Sequence, residues 1–275
     1  MKIIFEEFDS LGNYLKTIDA RPVNKVFSGE DLSSKTGSYH FTETGSYEEA
    51  TELARIGYRD GLDELKAASI KTKHVESAPK NIPKAAIVGF TPHVPNAITG
   101  VPLSMINVAP TEQKAKVISI LYYMGGSWQV DTESYIEAGK NVLNAIHTLE
   151  TQGYRVALNV MTAYCEPSER ALNSVQIKNW RQPSNLLKLS YPLIHPSFFR
   201  RHGFRWLETQ PQLTDTRFRR AYGSPLDNTV GSNTQARRKW LTDQGLLKTN
   251  QFYTERFEAE KCSTEQLIER MGINT

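Results

Sequence analysis

The sequence predicts an α/β fold built around a central, partly parallel sheet. Two nearly continuous apolar segments, at about 116–124 and 155–164, have the length of strands that are buried on both faces. Between them, residues 132–152 carry apolar side chains at helical spacing. A strand, a long helix and a second strand form a βαβ unit, in which the two strands run parallel and the crossover is right-handed. We therefore expect a two-layer or three-layer α/β domain.

The ends of the long helix are marked by residues that favour helix termini. Asp131 stands where an N-cap belongs, because its carboxylate can accept a bond from the first free backbone amides. Gly153 stands at the C′ position, where the backbone commonly turns left-handed. The apolar stripe of this helix consists of Ile136, Val142, Leu143, Ile146 and Leu149.

The N-terminal part of the chain reads as helices separated by loop. Residues 9–18 favour a short helix with Asp9 as its cap. Residues 27–45 are rich in Ser, Gly and Thr, which is typical of a loop. Ser46 and Glu49 have the spacing of a capping box, so a second helix begins there.

A boundary is expected after these helices. Gly57 ends the second helix, and a third is expected at about 62–68. Residues 71–84 are rich in lysine and contain two prolines, which is typical of a linker or exposed loop. The chain therefore divides into a mainly helical region, 1–80, and an α/β domain with a basic C-terminal extension, 81–275. A single continuous domain is the alternative.

The rest of the chain adds shorter elements. Residues 85–90 favour a strand, and residues 91–102, which contain three prolines, an ordered loop. Residues 174–178 favour a strand that extends the sheet, and Ser184 is a candidate helix cap. A second capping box at 263–266 opens a last helix.

Composition favours an intracellular globular protein. The chain has 275 residues, of which 39% are hydrophobic and 23% charged. No run approaches the roughly 18 apolar residues that a membrane span needs, and the first nine residues include three acids, unlike a secretory signal. Cys165 and Cys262 are too few for a disulfide framework or a thiolate zinc site, so a cytoplasmic location is expected.

Charge is unevenly distributed along the chain. Residues 178–248 contain thirteen basic and four acidic residues, a net charge of +9, so the remainder of a chain with net charge +3 carries −6. Nine of the thirteen are arginine. A positive segment of this kind predicts a face that binds a polyanion, with nucleic acid as the first candidate. The alternative is that these arginines pair with acids from the rest of the chain.

The densest part of this segment is 195–206, which holds three arginines, two histidines and four aromatics. Guanidinium groups bind phosphates in fork geometry, and aromatic rings stack on bases. Alternatively, the aromatics pack the basic half onto the sheet and only the arginines meet a partner. The candidate binding residues of the whole segment are His195, Arg200, Arg201, His202, Arg205, Arg217, Arg219, Arg220, Arg237, Arg238 and Lys239.

A second candidate is the loop Gly125-Gly126-Ser127, between the first βαβ strand and its helix. Two glycines allow close backbone approach to an anion, and the helix N-terminus adds partial positive charge. The alternative is an ordinary βα connection. The six histidines lack metal-binding spacings, so neither a metal nor a cofactor is predicted. An enzyme acting on a nucleotide or phosphate ester would place His195 or His202 beside Arg200 or Arg201 in one pocket.

Two resemblances follow from these segments. The strand-helix-strand resembles the von Willebrand A domain, but the loop Tyr123-Met124-Gly125-Gly126-Ser127 lacks that fold's metal-binding aspartate. Four other segments together resemble an uncharacterised family encoded by bacteriophages and mobile elements. They are 41–50 with Gly57-Tyr58, 94–105, 149–156, and 195–201 with 203–205.

The second resemblance implies a viral or mobile-element origin and carries no activity. Combined with the charge, it leads to the prediction of a non-enzymatic nucleic-acid-binding protein in the host cytoplasm. A virion or assembly component, which would self-associate or bind another phage protein, is the first alternative. The enzyme described above is the second.

Overall fold

A computed structural model of the protein describes residues 1–69, 83–108, 116–127 and 129–273. Its strands are β1 Lys2–Phe8, β2 Pro83–Ala86, β3 Thr91–Pro92, β4 Met105–Val108, β5 Val117–Tyr123, β6 Arg155–Cys165, β7 Glu169–Lys178 and β8 Gln251–Glu255. Its helices are α1 Leu11–Ala20, α2 Ser33–Thr36, α3 Tyr39–Thr42, α4 Tyr47–Ile56, α5 Arg59–Ser69, α6 Val94–Ile98, α7 Thr132–Thr151, α8 Leu186–Ile194, α9 Phe204–Glu208, α10 Phe218–Ala221, α11 Thr234–Asp243, α12 Arg256–Lys261 and α13 Thr264–Met271. A π-helix spans Phe198–Gly203, and 3-10 turns span Lys25–Phe27 and Leu226–Asn228.

The predicted α/β fold is confirmed. Five strands form one sheet in the order β1-β7-β6-β5-β8, and all neighbours are parallel except the antiparallel pair β6 and β7. The βαβ unit is β5-α7-β6. The Asp131 carboxylate accepts a 2.9 Å bond from the backbone N–H of Ser134 at the start of α7, and Gly153 follows its end with a φ of 89°.

Both faces of the sheet are covered, which explains why β5 and β6 are apolar along most of their length. Alternate residues of β5 contribute to two different cores, because successive side chains point to opposite faces. One core contains Ile120 and Tyr122 and is closed by α1, α4, α7, α8 and the segment after α8. The smaller core contains Leu121 and Tyr123 and is closed by α11 and the turn before it.

The N-terminal region contributes a strand that the sequence analysis did not predict. Residues Lys2–Phe8 form β1, which pairs in parallel with β7, so this region joins the sheet rather than only packing beside it. β7 also begins at Glu169, earlier than the predicted 174–178. In β1, the adjacent acids Glu6 and Glu7 interrupt the alternation of KIIFEEF, so the periodicity of this segment alone does not indicate a strand.

Several predicted local features need correction. Ser10 rather than Asp9 caps α1, and Asn185 rather than Ser184 caps α8. Short helices α2 and α3 interrupt the loop predicted at 27–45, and α6 interrupts the one predicted at 91–102. The strand predicted at 85–90 is shifted to β2. These elements are only 4 to 10 residues long, so neighbouring caps and tertiary contacts set their ends.

Residues 83–108 form a small unit between α5 and β5, hereafter the insert. It consists of the antiparallel sheet β2-β4-β3 and helix α6. Most of the lysine-rich stretch 71–84 lies outside the described residues, as do residues 109–115 on the other side of the insert.

The end of α4 gives a test of the packing between α4 and α8. Gly57 and Gly153 both have positive φ, 97° and 89°. A Cβ on Gly57 would lie 2.2 Å from the Leu187 carbonyl oxygen, whereas a Cβ on Gly153 would meet open space. We expect Gly153→Ala to lower the free energy of unfolding by about 1 kcal/mol through backbone strain alone. Gly57→Ala adds a steric overlap and is expected to cost roughly 3 kcal/mol or more. Urea unfolding of both variants measures the difference, and equal losses would contradict the packing described.

Candidate functional site

The segment 195–206 is a buried corner of the protein. It runs from the end of α8 through the π-helix into α9, and π-helical turns are often found at functional sites. Its aromatics pack inward: Phe198 and Trp206 are fully buried, and Phe199 stacks on Tyr164 with ring centroids 5.4 Å apart. The arginines and histidines of the segment are buried as well, with Arg201 and His202 at 0% exposure.

Arg201 is held entirely by the protein itself. Its Nε donates to the Thr44 hydroxyl at 2.6 Å, and its two terminal nitrogens donate to the backbone carbonyls of Ser34, Lys35, Gly37 and Thr44 at 2.6–3.2 Å. All these acceptors belong to the loop that contains α2 and α3. Burial lowers the pKa of Arg201 from its usual value. The guanidinium therefore organises this loop and has no donor left for a ligand.

Arg200 connects the same loop to the βαβ unit. It donates to the Phe41 carbonyl at 2.7 Å and to the Val130 carbonyl at 2.9 Å, and its guanidinium lies 4.4 Å from the Phe41 ring centroid. Val130 lies just before α7. Burial lowers the pKa of Arg200. Arg200 and Arg201, adjacent in sequence, thus both fasten the 33–45 loop to this corner, and Arg200 also joins it to the segment before α7.

The two histidines of the segment are buried and neutral. The Nδ1 atom of His202 lies 2.9 Å from the Tyr191 hydroxyl, and its Nε2 lies 3.3 Å from the Thr51 hydroxyl. His195 accepts a 3.2 Å bond from the backbone N–H of Ser197. Burial lowers the pKa of His202 to about 3 and that of His195 to about 4.

Arg205 completes the corner. One of its terminal nitrogens lies 3.9 Å from the carboxylate of Glu208, which is itself fully buried. Burial raises the pKa of Glu208, although its oxygens accept bonds from Ser34 and from the Tyr222 hydroxyl at 2.6 Å. The enzyme alternative required a histidine beside Arg200 or Arg201 in an open pocket. All four of those side chains are instead at 3% exposure or less, and each has partners within the fold.

The loop Gly125-Gly126-Ser127 lies at the carboxyl end of β5, and both of its glycines are buried. A Cβ on Gly126 would lie 2.9 Å from Val130 and 3.3 Å from Nε of Arg256. Arg200 donates to the carbonyl of Ser127 at 3.3 Å. Two arginines therefore lie near this loop, but its glycines permit close packing of the protein rather than leaving space for an anion.

Much of the basic segment is neutralised by acids from other parts of the chain. Five ion pairs cross from it to acids elsewhere: Lys178–Glu150, Arg217–Glu166, Arg219–Glu30, Arg237–Glu255 and Lys248–Glu7. The pair of Arg237 with Glu255 is buried, with N–O distances of 2.8–3.2 Å. The excess of +9 in sequence does not therefore become an excess of +9 on one surface.

Three of the predicted binding residues do come together at the surface, around α10. Arg217, Arg219 and Arg220 are all exposed and lie within one short turn, hereafter the arginine turn. A terminal nitrogen of Arg217 lies 2.6 Å from the Asp215 carboxylate, and this pairing keeps the pKa of that carboxyl well below its usual value. Arg219 pairs with Glu30 at 2.7 Å while half of its side chain stays exposed. Among the described residues, the Arg220 side chain has no hydrogen-bonding or ion-pairing partner.

The arginine turn lies close to the carboxyl end of β6. Cys165, the last residue of β6, forms an isolated bridge with Ser224, three residues after α10. Arg217 also donates to the Ser168 hydroxyl at 2.8 Å, in the turn between β6 and β7. This edge of an α/β sheet is where ligands commonly bind. The other predicted residues lie on α11, where Arg238 is half-buried and donates to the Met271 carbonyl, and Lys239 is exposed.

The part of the chain that the structure describes shows neither a metal-binding cluster nor a membrane-spanning helix. It contains no group of three or more His, Cys, Asp or Glu side chains placed to hold a metal ion. None of its helices has the length and apolarity of a membrane span.

Sequence reasoning missed the polar residues that receive the buried arginines. Thr44 and Ser34 lie in a Ser/Thr/Gly-rich stretch. Nothing in that sequence distinguishes a residue that accepts bonds from a buried arginine from its neighbours. Glu208, two residues after Trp206, is the one acid close to the motif. Its position three residues after Arg205 on a helix is a signal that an ion pair could form.

The fold and this corner define an α/β protein whose most basic motif is structural. The chain belongs to the family described as a domain of unknown function, DUF7192, whose model matches residues 2–273. No curated protein and no solved structure matches the chain.

Arg201 provides the sharpest test of this corner. Arg201→Lys keeps the positive charge but replaces the planar five-donor fork with a compact ammonium, leaving buried carbonyls unpaired. We expect a loss of roughly 3 kcal/mol or more in the free energy of unfolding, measured by urea denaturation. The matched control, Arg219→Lys, alters an exposed pair and should cost less than about 1 kcal/mol. Equal losses would contradict the structural role of Arg201.

The buried histidines predict a loss of stability in mild acid. In the unfolded chain a histidine binds a proton below about pH 6.5, but the folded chain resists protonation until about pH 4 at His195. Its stabilising contribution is therefore present above pH 6.5 and is lost as the pH falls toward 4. Between pH 7 and pH 5 this amounts to roughly 2 kcal/mol for one histidine.

His195→Asn tests this, because the asparagine oxygen can still accept the bond from Ser197. The fall in unfolding free energy between pH 7 and pH 5 should be smaller by roughly 2 kcal/mol in the variant than in the wild type. The same fall in both proteins would mean that His195 is not held neutral.

Proposed function

We propose that the protein is a non-enzymatic nucleic-acid-binding protein that contacts phosphates through the arginine turn. The observation that carries the proposal is the exposure of Arg217, Arg219 and Arg220 on one turn. Guanidinium groups bind phosphate in fork geometry, and an exposed ion pair contributes little stability. Phosphates can therefore replace Glu30 beside Arg219 at small cost.

The placement of the turn supports the same proposal. It lies beside the carboxyl end of β6 and the β6–β7 turn, where Arg217 is fixed by Asp215 and Ser168. An arginine held in place beside two exposed ones fits contact with a phosphate backbone, which positions a protein on nucleic acid. We further propose a phage or mobile-element origin, which rests on the resemblance of segments such as 195–201.

A second candidate function, a virion or assembly component, is favoured by a different observation. None of the residues 84–107 of the insert is buried, and seven large apolar side chains there face solvent. Such a surface is typical of a site that binds another protein.

The salt dependence of binding tests the first proposal. Each phosphate contact lowers the slope of log affinity against log salt by about 0.9 on duplex DNA and about 0.7 on single strands. The double variant Arg219→Gln/Arg220→Gln should therefore flatten this slope by about 1.8 on duplex DNA and about 1.4 on single strands, and weaken binding to DNA or RNA at low salt. Fluorescence anisotropy with labelled oligonucleotides measures both quantities.

The control removes two positive charges elsewhere. Arg55→Gln/Arg59→Gln changes exposed arginines of α4 and α5 and leaves the net charge equal to that of the first variant. It should leave the slope unchanged. Absence of binding to both DNA and RNA at low salt, or an equal effect of the two double variants, would overturn the proposal.

A further inference from the structure

The insert exposes an unusual amount of apolar surface. None of residues 84–107 is buried. Its sheet β2-β4-β3 and helix α6 therefore form without a core of their own. The exposed side chains, with their exposed fractions, are Ile87 (71%), Val88 (75%), Phe90 (70%), Val94 (57%), Ile98 (80%), Val101 (41%) and Leu103 (46%).

The backbone of the insert nevertheless has a defined shape. Phe90 donates its backbone N–H to the Ile106 carbonyl at 3.0 Å, and Asn96 donates its side-chain amide to the Leu103 carbonyl at 2.9 Å. Gly89 lies so close to β4 that a Cβ there would be 2.1 Å from the Ile106 oxygen. The loop carrying Ile87, Val88 and Phe90 is therefore held against the small sheet.

Hydrogen bonds alone do not stabilise such a unit. Each contributes about 1 kcal/mol net, whereas ordering each residue costs roughly 1–2 kcal/mol. Small sheets need a covered hydrophobic face to be stable. The apolar side chains of the insert must therefore be covered by a partner for this shape to be maintained.

The charge of the insert indicates what that partner is. Between residues 83 and 108 there is no acidic residue, and Lys84 is the only lysine or arginine. One lysine offers a single phosphate contact, so the surface does not fit a nucleic acid. In a two-fold interface the same patch meets itself, which places like charges together. A patch almost without charge avoids that repulsion.

We propose that the insert is a self-association surface, and that its partner is the insert of a second copy of this chain. Two copies that cover these seven side chains would remove roughly 1,000 Å² or more from water, the size at which specific interfaces begin. This proposal rests on the second candidate function, an assembly component, and names its partner. It is independent of nucleic-acid binding by the arginine turn.

Sedimentation of the full chain at about 1 to 100 µM tests the proposal. The wild type should be a dimer at the upper concentrations. Phe90→Asp should raise the dissociation constant at least tenfold, because two carboxylates per dimer would enter the apolar interface. The matched control is Phe257→Asp, which introduces the same change at a 52% exposed phenylalanine on α12 and should leave the dissociation constant unchanged.

Hydrogen exchange separates loss of association from loss of folding. In the wild type, amides of residues 84–107 should exchange more slowly at high than at low protein concentration, while those of β5 and β6 stay protected throughout. The inference would be overturned by a monomer at all concentrations, or by insert amides whose exchange rates do not depend on protein concentration. Equal effects of the two substitutions on the dissociation constant would overturn it as well. A monomer that still binds DNA with the expected salt slope would refute the dimer alone, and a dimer that binds no nucleic acid would refute the other proposal alone.

Discussion

The buried guanidinium of Arg201 is the interaction on which this architecture depends. Its five hydrogen bonds to Thr44 and to neighbouring carbonyls shape a loop that has few apolar residues to pack. Arg200 then joins that loop to the segment before α7. The N-terminal region is thereby fixed to the βαβ unit through one corner. Removing a donor there would leave buried carbonyls unpaired, which costs more than the bond itself contributes.

This corner changes the meaning of the basic segment. Lys178, Arg201 and Arg237 are all buried, and the first and last pair with acids brought from other elements. A count of charges along the chain therefore overstates the field at the surface, because charges that are neighbours in sequence separate in the fold. Arginine serves here mainly as a donor to carbonyls and carboxylates within the protein. Of the predicted binding residues, Arg217, Arg219, Arg220 and Lys239 stay exposed.

The two surfaces proposed to be functional differ in chemistry. The arginine turn is charged and lies beside the carboxyl end of the sheet, whereas the insert is apolar and carries Lys84 as its one strongly basic residue. A polyanion would bind the first through counterion release, and a second copy would bind the other through burial of apolar area. Dimerisation would also double the number of arginine turns in one particle, which raises the effective concentration of the second contact.

Sequence reasoning alone was enough for the α/β class, the β5-α7-β6 unit and the N-caps of α4, α7 and α13, because hydrophobic periodicity and capping are local properties. It also indicated that 195–206 packs as a corner, since four aromatics lie within twelve residues. Pairing of β1 with β7 depends on tertiary contacts, because its partner lies some 167 residues away along the chain. The burial of Arg200, Arg201 and His202 depends on such contacts as well. Whether a guanidinium meets solvent or carbonyls depends on which distant loop reaches it, and no local pattern encodes that contact.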